Sequence, residues 1–319
     1  MRDHGGNIDV ARARFGGTDW IDLSTGINRI PYPLPSLPHD VWTALPTDTA
    51  MAGVLSAARE AYRSRAPILA VAGAQAAIQM IPRLASGGQA RVLGPTYNEH
   101  ATALRAAGWQ VDEVPTLPAL HGADLAVVVN PNNPDGRSHT REALLAVADQ
   151  VGRLVVDESF ADPHPELSLS PAAGQSRLLV LRSLGKFYGL AGVRLGFALG
   201  NEADISALAD MAGPWSVSGP AIAIGQVALS DLAWAEATTA RLRSDAARLD
   251  RLALTAGWKA LGGTTLFRLY DTSDATSAQK RLARQQIWSR TFPYSRQWLR
   301  LGLPGLPTEW DRLTEALRG

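Results

Sequence analysis

Short runs of apolar residues alternate with longer segments of mixed polarity through the middle of the chain. These runs have the length and composition of buried strands, and they fall at residues 68–72, 90–93, 125–129, 154–156, 178–181 and 196–199. Segments that read as helices lie at residues 51–65, 76–85, 99–107 and 141–151. This alternation predicts an α/β fold with a mainly parallel sheet that helices cover on both faces.

The two ends of the chain have different patterns. We predict an irregular N-terminal arm at residues 1–49, because several prolines interrupt any helix there: Pro31, Pro33, Pro35, Pro38 and Pro46. Glycine, proline and serine become more frequent at residues 212–220, and a helix-rich stretch with a strand–helix–strand segment follows. We therefore expect a large domain at residues 50–212 and a smaller α+β domain at residues 213–319.

Composition narrows the range of functions without identifying one. The chain has 319 residues, a net charge of +1 and no cysteine. The charge gives no argument for nucleic acid or an anionic membrane as a partner, and the lack of cysteine excludes disulfides and cysteine nucleophiles. No apolar run reaches the ~18–20 residues that cross a bilayer, and the N-terminus does not resemble a secretory signal. We expect a cytoplasmic location and predict no metal site.

Lys186 lies in a glycine-rich loop that directly follows a predicted strand. Glycines let a backbone approach a ligand closely, and Ser183 and Arg194 on either side of the lysine can bind an anion. A lysine amine beside an anion site suits a Schiff base with a phosphorylated aldehyde cofactor. A lysine by itself would be interpreted as a solvated loop residue, but these neighbours favour the functional interpretation.

Four further motifs lie where predicted strands end. Asp157 closes a buried strand, at the edge where open α/β sheets bind ligands, and its carboxylate suits a pyridine nitrogen. Asn133 lies in a turn rich in asparagine and proline, and Tyr97 follows a Gly-Pro turn and can stack on an aromatic ring. The fourth motif is a strand–helix junction made of Gly73, Ala74 and Gln75. Free N–H groups at such a junction favour a phosphate. Taken singly, Asp157, Asn133 and Tyr97 are better interpreted as a cap, a turn residue and a core side chain, and the Gly73 junction is a weak signal.

The order and spacing of these motifs resemble the fold-type I enzymes that use pyridoxal 5′-phosphate (PLP), close to histidinol-phosphate aminotransferase and its relatives. The resemblance covers most of residues 20–305 and is most specific at residues 130–136 and 186–194. It implies that Lys186 forms the Schiff base, that Asp157 pairs with the ring nitrogen and that Tyr97 stacks on the ring. It also implies that Asn133 contacts the ring hydroxyl. The residues that then hold the cofactor phosphate are Ser183 and Arg194.

The N-terminus narrows this resemblance. The His-Gly-Gly-Asn start at residues 4–7, together with residues 20–28 and 31–33, is similar to the threonine-phosphate decarboxylase family. That family converts L-threonine O-3-phosphate to (R)-1-amino-2-propanol phosphate for cobalamin biosynthesis. The resemblance assigns the substrate α-carboxylate to Arg300. The candidates for the substrate phosphate or its rim are His4, Asn28, Arg137 and Arg290.

The chain departs from these relatives at three places. Phe160 stands where many have a tyrosine near the cofactor, and Gly185 stands where they often have a serine or threonine that binds phosphate. Leu45 and Pro46 occupy the region of a Tyr-Pro pair whose tyrosine reaches the partner subunit's cofactor. Because members of the family are homodimers, the resemblance implies a homodimer in which the N-terminal arm contacts the partner or closes over the site.

Three functions stay open at this stage. PLP labilises the Cα bond that stands perpendicular to its ring, so the alignment of the substrate decides between decarboxylation and transamination. The sequence does not give that alignment, so decarboxylation follows from the resemblance, and an aminotransferase of the histidinol-phosphate type is the alternative. A non-catalytic ligand-binding protein on the same scaffold is the third, which Lys186, Asp157 and Arg194 disfavour. A nicotinamide-binding protein is disfavoured because no well-placed Gly-x-Gly-x-x-Gly follows the first strand.

Overall fold

The computed structural model describes residues 4–175 and 177–318. The helices are α1 (Ile8–Phe15), α2 (Asp40–Thr43), α3 (Asp48–Ala61), α4 (Ala74–Met80), α5 (Glu99–Ala106), α6 (Arg141–Ala148), α7 (Glu202–Ala212), α8 (Gly219–Ser230), α9 (Leu232–Thr255), α10 (Ala275–Arg284) and α11 (Pro307–Arg318). The strands are β1 (Ile21–Asp22), β2 (Ile68–Val71), β3 (Gln89–Leu93), β4 (Gln110–Val114), β5 (Leu125–Val129), β6 (Leu154–Asp157), β7 (Leu178–Ser183), β8 (Gly196–Leu199), β9 (Lys259–Gly263), β10 (Phe267–Asp271), β11 (Ile287–Trp288), β12 (Arg290–Phe292) and β13 (Ser295–Gly302).

The chain contacts divide the protein into two compact units. The sheet unit comprises residues 32–133 and 137–235, and the terminal unit comprises residues 4–31, 134–136 and 236–318. The domain boundaries that we expect from the sequence, at residues 49/50 and 212/213, stay a prediction. Within the described residues, no helix is long and apolar enough to cross a membrane.

A seven-stranded sheet with the order β2-β8-β7-β6-β5-β3-β4 forms the centre of the sheet unit. The pairs from β7 to β4 are parallel, whereas β8 runs antiparallel to both of its neighbours. Every residue of β5, β6 and β8 is buried, and successive strand residues point to opposite faces. Both faces of the sheet are therefore covered, as the apolar runs predicted.

The six strands expected from apolar runs are confirmed, but one strand of the sheet was not foreseen. This strand is β4, which pairs with β3 at the edge of the sheet and has no fully buried residue. Its sequence, Gln-Val-Asp-Glu-Val, lacks an apolar run because an edge strand needs little burial. Apolar runs report burial on both faces, so they find central strands and miss polar edges.

The terminal unit contains a four-stranded antiparallel sheet with the order β12-β13-β10-β9 and a short parallel pair of β1 with β11. The prediction of an irregular N-terminal arm is wrong for residues 8–15 and 40–43, which form α1 and α2. Both helices are short and leave most of their residues exposed, so the apolar pattern that marks a packed helix is weak there.

Candidate active site

Loops at the carboxyl ends of the parallel strands enclose a cavity in the sheet unit. The strands β5, β6 and β7 end at Val129, Asp157 and Ser183, and all three residues line it. The other lining residues are Gly73, Ala74, Gln75, Ile78, Tyr97, Asn133, Ser159, Phe160, Gly185, Lys186, Ala191, Arg194 and Leu195. All nine residues that the sequence analysis assigned to the cofactor are in this set.

Asp157 is a buried carboxylate in the wall of this cavity. Its Oδ2 lies 2.8 Å from Nε2 of His100, and its Oδ1 accepts hydrogen bonds from the hydroxyl and the N–H of Ser159 at 2.5 and 3.0 Å. Burial by itself raises the pKa of Asp157, but the hydrogen bonds from His100 and Ser159 outweigh it and hold the pKa below its ordinary value. The wall of the cavity therefore contains an ionised carboxylate at neutral pH.

Lys186 contributes the amine of the cavity, and aromatic packing fixes its loop. Its Nζ lies 5.7 Å from the centre of the Phe160 ring. Two residues further along, Tyr188 stacks on Trp234 with the ring centres 5.4 Å apart, and its carbonyl accepts a hydrogen bond from the N–H of Tyr32 at 2.8 Å. These contacts hold the backbone two residues beyond Lys186.

Arg194 provides a cationic group opposite a tight glycine turn. It adopts a left-handed backbone conformation, with φ 58° and ψ 49°, which is unusual for a residue with a side chain. Gly73 has φ +74°, and a Cβ atom at that position would lie 2.7 Å from Nη2 of Arg194. The positive φ favours glycine at this turn, and the guanidinium passes close to it. With the nearby hydroxyl of Ser183, this side of the cavity suits an anion such as a phosphate.

The ring of Tyr97 is held by polar contacts at its hydroxyl. The hydroxyl donates to the side-chain oxygen of Gln75 at 3.2 Å, and the amide of Gln75 donates to Glu99 at 3.1 Å. The neighbouring turn is tied by Asn132, which accepts from Thr96 at 2.6 Å and donates to the Pro95 carbonyl at 3.0 Å. These bonds link the turn that carries Tyr97 to the turn that carries Asn133.

Glu158, next to Asp157, belongs to a separate buried network. It is fully buried and accepts a hydrogen bond from Arg182 at 2.8 Å, while the same guanidinium donates to Asp162 at 2.8 Å. The further donors to Glu158 are Ser168, the N–H of Leu169 and Ser170. Neither Glu158 nor Arg182 lines the cavity, because alternate residues of a strand point to opposite faces.

The remaining arginines assigned by the sequence are not among the residues that line this cavity. Arg137, in the sheet unit, is half-buried, does not line the cavity and donates to the Gly94 carbonyl at 3.1 Å. Arg290 and Arg300, in the terminal unit, are opposite each other on β12 and β13. Burial and the adjacent charge of Arg290 lower the pKa of Arg300 to about 9. Like charges on facing strands repel, and the charge of Asp22 offsets part of this repulsion at Arg300, so a further anion beside the pair would be favourable.

The N-terminal motif packs against Ser24 in the terminal unit. The Ser24 carbonyl accepts from Arg300 at 2.7 Å, and its hydroxyl accepts from the N–H of Gly6 at 2.8 Å. Gly5 must be glycine, because a Cβ there would clash with the Ser24 carbonyl oxygen. The structure thus brings the segment that follows His4 and the guanidinium of Arg300 to the same short stretch of chain.

The side chain of Asn28 makes hydrogen bonds that the sequence did not predict. Its side-chain oxygen accepts hydrogen bonds from Arg241 at 2.9 Å and from the N–H of Ile30 at 3.1 Å. The side chain is buried, and these bonds fix the turn at residues 28–30. Only its NH₂ group, which is a donor, suits an anion.

Sequence reasoning missed His100, Ser159 and Asn132. Each acts through another side chain rather than through a motif of its own, and His100 is 57 positions from Asp157 in the chain. A weak signal existed for His100, which follows Tyr97 by three residues at the start of α5. A histidine on a helix is too common to identify a carboxylate partner without the fold.

Comparison with known proteins identifies the family of the chain. Residues 49–317 match the family described as aminotransferase class I and II. The chain belongs to this family. It is 43% identical to a threonine-phosphate decarboxylase of a Sinorhizobium species, over 98% of this chain and 97% of the relative. It is 42% identical to the threonine-phosphate decarboxylase of Pseudomonas aeruginosa, over 100% of this chain and 98% of the relative.

A solved structure of another member of the aminotransferase family shares the fold. The histidinol-phosphate aminotransferase of Sinorhizobium meliloti, solved in complex with pyridoxal-5′-phosphate, superposes with a TM-score of 0.85 at 20% identity. The superposition covers 98% of this chain and 95% of that one. The predicted fold class, fold-type I with a mainly parallel sheet, is confirmed.

Proposed function

We propose that this protein is a PLP-dependent decarboxylase that converts L-threonine O-3-phosphate to (R)-1-amino-2-propanol phosphate, a step of cobalamin biosynthesis. The observation that carries the proposal is the similarity over the whole chain to two proteins named threonine-phosphate decarboxylase. The cavity supports it, because an amine, a buried carboxylate and an anion-binding corner line the same space.

The side chains of the cavity fit the chemistry of PLP. We propose that Lys186 links covalently to the aldehyde, that Asp157 faces the ring nitrogen and that Asn133 faces the ring hydroxyl. Tyr97 supplies the stacking ring. The corner for the cofactor phosphate consists of Gly73, Ala74, Gln75, Ser183 and Arg194. When bound, PLP supplies an electron sink for the pair that a broken Cα bond leaves behind.

The chain's own groups then have defined tasks. Asp157 remains ionised in its buried position, so it can hold a proton on the ring nitrogen. Lys186, when not bonded to the cofactor, would carry an ammonium group that could deliver a proton to Cα and become the neutral amine. Phe160 presents no hydroxyl to the cavity, so it contributes shape and excludes water rather than donating a hydrogen bond.

The substrate carries a carboxylate and a phosphate, and we propose arginines for both. Arg300 takes the α-carboxylate, since its buried cation lies beside a second positive charge and gains from an anion. The proposed contacts of the substrate phosphate or its rim are Arg290, His4, Asn28 and Arg137. Holding both anionic ends fixes which Cα bond stands perpendicular to the cofactor ring.

An aminotransferase of the histidinol-phosphate type is the second candidate. The fold shared with the Sinorhizobium meliloti enzyme and the family match favour it. The two candidates differ in whether a 2-oxo acid acceptor is needed, because transamination must pass the amino group on. Decarboxylation needs no such acceptor.

The test is to incubate the PLP-loaded protein with L-threonine O-3-phosphate in the absence of any 2-oxo acid. We expect carbon dioxide and the phosphorylated amino alcohol in equal amounts, and no product from a matched Lys186→Ala sample. Turnover that strictly requires 2-oxoglutarate, or that occurs with histidinol phosphate instead, would support the aminotransferase and contradict the proposal.

We also propose a homodimer and a cytoplasmic location. Large apolar side chains are exposed on the sheet unit, among them Trp42 (64% exposed) and Trp215 (58%). Trp42 belongs to α2, which packs against α8, and Trp215 shortly precedes α8. Burying such side chains against a second copy would be favourable. A monomer by analytical ultracentrifugation would contradict the dimer, and cell fractionation tests the location.

A further inference from the structure

Donors of the protein itself occupy most of the hydrogen-bond acceptor sites of the Asp157 carboxylate. An ionised carboxylate offers about four lone-pair sites for hydrogen bonds. Three donors occupy it here, namely Nε2 of His100 on one oxygen and the hydroxyl and N–H of Ser159 on the other. The carboxylate therefore has capacity for one further donor, and it lines the cavity.

Ser159 determines how the carboxylate is turned. It supplies both donors to Oδ1, and its hydroxyl makes the shorter bond, at 2.5 Å. The N–H bond follows from the turn of the backbone and would survive if the side chain were removed, whereas the hydroxyl bond depends on the serine itself. With Oδ2 held by His100, the hydroxyl fixes the second oxygen and so the plane of the carboxylate.

We infer that Ser159 is a positioning residue that turns Asp157 so that its last lone-pair site points at the nitrogen of the cofactor ring. This inference depends on the proposed function, because it requires a ring nitrogen in the cavity. Ser159 also lines the cavity and is buried, so its hydroxyl bond is shielded from competing water.

A matched control lies in the neighbouring network. The hydroxyl of Ser168 is buried and donates to Glu158 at 2.5 Å, the same length as the bond from Ser159 to Asp157. Ser168→Ala therefore removes a bond of the same length to a buried carboxylate one position away, on a side chain that does not line the cavity. It also removes the acceptor for Arg182 and for the N–H of Ser170, so it is the more disruptive of the two variants and a stringent control for loss of stability. Any effect shared by the two variants reflects loss of packing or stability.

The experiment compares the binding of two cofactors to the apo-protein. PLP and 1-deaza-PLP, in which carbon replaces the ring nitrogen, are titrated into wild type, Ser159→Ala, Ser159→Thr and Ser168→Ala, and binding is followed by absorbance and protein fluorescence. We expect Ser159→Ala to weaken PLP about tenfold, the range for a lost hydrogen bond to a charged group, and to leave 1-deaza-PLP unchanged. Ser159→Thr should restore the preference for PLP.

The outcomes separate this inference from the proposed function. If wild type prefers PLP and Ser159→Ala keeps the full preference, the positioning role is wrong while the cofactor assignment stands. If Ser168→Ala reduces the preference as much as Ser159→Ala, the effect is structural and the inference is also wrong. If wild type binds the two cofactors equally, the contact between Asp157 and the ring nitrogen is wrong, and the inference falls with it. Binding of neither cofactor contradicts the proposed function.

Discussion

Asp157 and Glu158 are adjacent in the chain and both are buried, but their surroundings differ. Glu158 lies against the guanidinium of Arg182 and accepts further bonds from hydroxyl and backbone donors, so its charge is balanced within the protein. Among the residues that the structure describes, Asp157 has no arginine partner; it takes its hydrogen bonds from His100 and Ser159 and faces the cavity. The two carboxylates thus lie on opposite sides of the same strand end.

The difference indicates how a structural carboxylate can be told from a functional one. A buried charge is costly unless it is paired and its lone pairs are used, and Glu158 meets both conditions within its own chain. The donors to Asp157 use three of its about four lone-pair sites, so a ligand can supply the remaining hydrogen-bond donor. We therefore expect substitutions at Glu158 to change stability and substitutions at Asp157 to change chemistry.

The largest expected effect is that of Asp157→Asn on turnover. The amide keeps the size of the side chain but cannot hold a proton on the ring nitrogen as a carboxylate does, so kcat should fall by roughly 10²–10³-fold. The assay is carbon dioxide release from the PLP-loaded variant. A fall of less than about fivefold would mean that Asp157 is not the partner of the ring nitrogen.

Glu158→Gln should lower stability and leave turnover nearly unchanged. The amide NH₂ would face donors, and Arg182 would lose one of its two carboxylate partners, so the free energy of unfolding should fall by about 3 kcal/mol. Turnover per folded molecule should stay within about threefold of wild type. Urea unfolding measures the first quantity and active-site titration with carbon dioxide release the second. A variant of unchanged stability would contradict the structural role.

His100→Phe should move the acid limb of the pH profile. In wild type the pKa of Asp157 is depressed, so its carboxylate contributes stability above its unfolded-state pKa and loses it as the pH falls through the folded-state pKa. Without the hydrogen bond from His100 the pKa of Asp157 rises, so the acid midpoints of activity and of stability should both move to higher pH. His100→Gln, whose amide can donate from a similar position, should restore part of the shift. An unmoved midpoint would show that His100 does not control Asp157.

The smallest effect is expected at Ser24, which bonds Asp22 in the same way as Ser159 bonds Asp157. In the terminal unit the hydroxyl and N–H of Ser24 both donate to Oδ1 of Asp22, at 2.6 and 2.9 Å. Ser24→Ala removes the hydroxyl that accepts the N–H of Gly6, so hydrogen exchange at residues 4–7 should become faster. Because this segment carries His4, a proposed contact of the substrate phosphate, KM should rise about threefold with kcat unchanged. Ser277→Ala, an exposed serine that also bonds an aspartate, is the control and should leave both unchanged. A fall in kcat with Ser24→Ala would contradict this view.

Much of the cavity could be predicted from sequence, because its residues lie in turns at strand ends. Apolar runs located β5, β6 and β7, and the residues that follow them had to meet at one edge of the sheet. The side chains that hold these residues in position could not be predicted in the same way. The bond between His100 and Asp157, and the Arg182 network, join distant positions whose pairing depends on strand order and on which face each side chain takes.

At the N-terminus, too, contacts between distant segments could not be predicted from the sequence. The motif at residues 4–7 stands out by its composition, but the need for glycine at Gly5 comes from its close approach to the Ser24 carbonyl, which the sequence does not show. Helix α1 was missed because it buries a single residue, Ala11, and so has little apolar periodicity. Sequence patterns record burial and local turns, whereas close approach between distant segments requires the fold.

The most direct test of the central claim is to find which amine carries the cofactor. The chain has only three lysines, and two of them, Lys259 and Lys280, are exposed and are not among the residues that line the cavity. Borohydride reduction of the PLP-loaded protein, followed by peptide mass mapping, should place a phosphopyridoxyl group on Lys186 in equal molar amount with the protein. Labelling of Lys259 or Lys280 instead, or no label under conditions in which the protein turns over its substrate, would contradict the account.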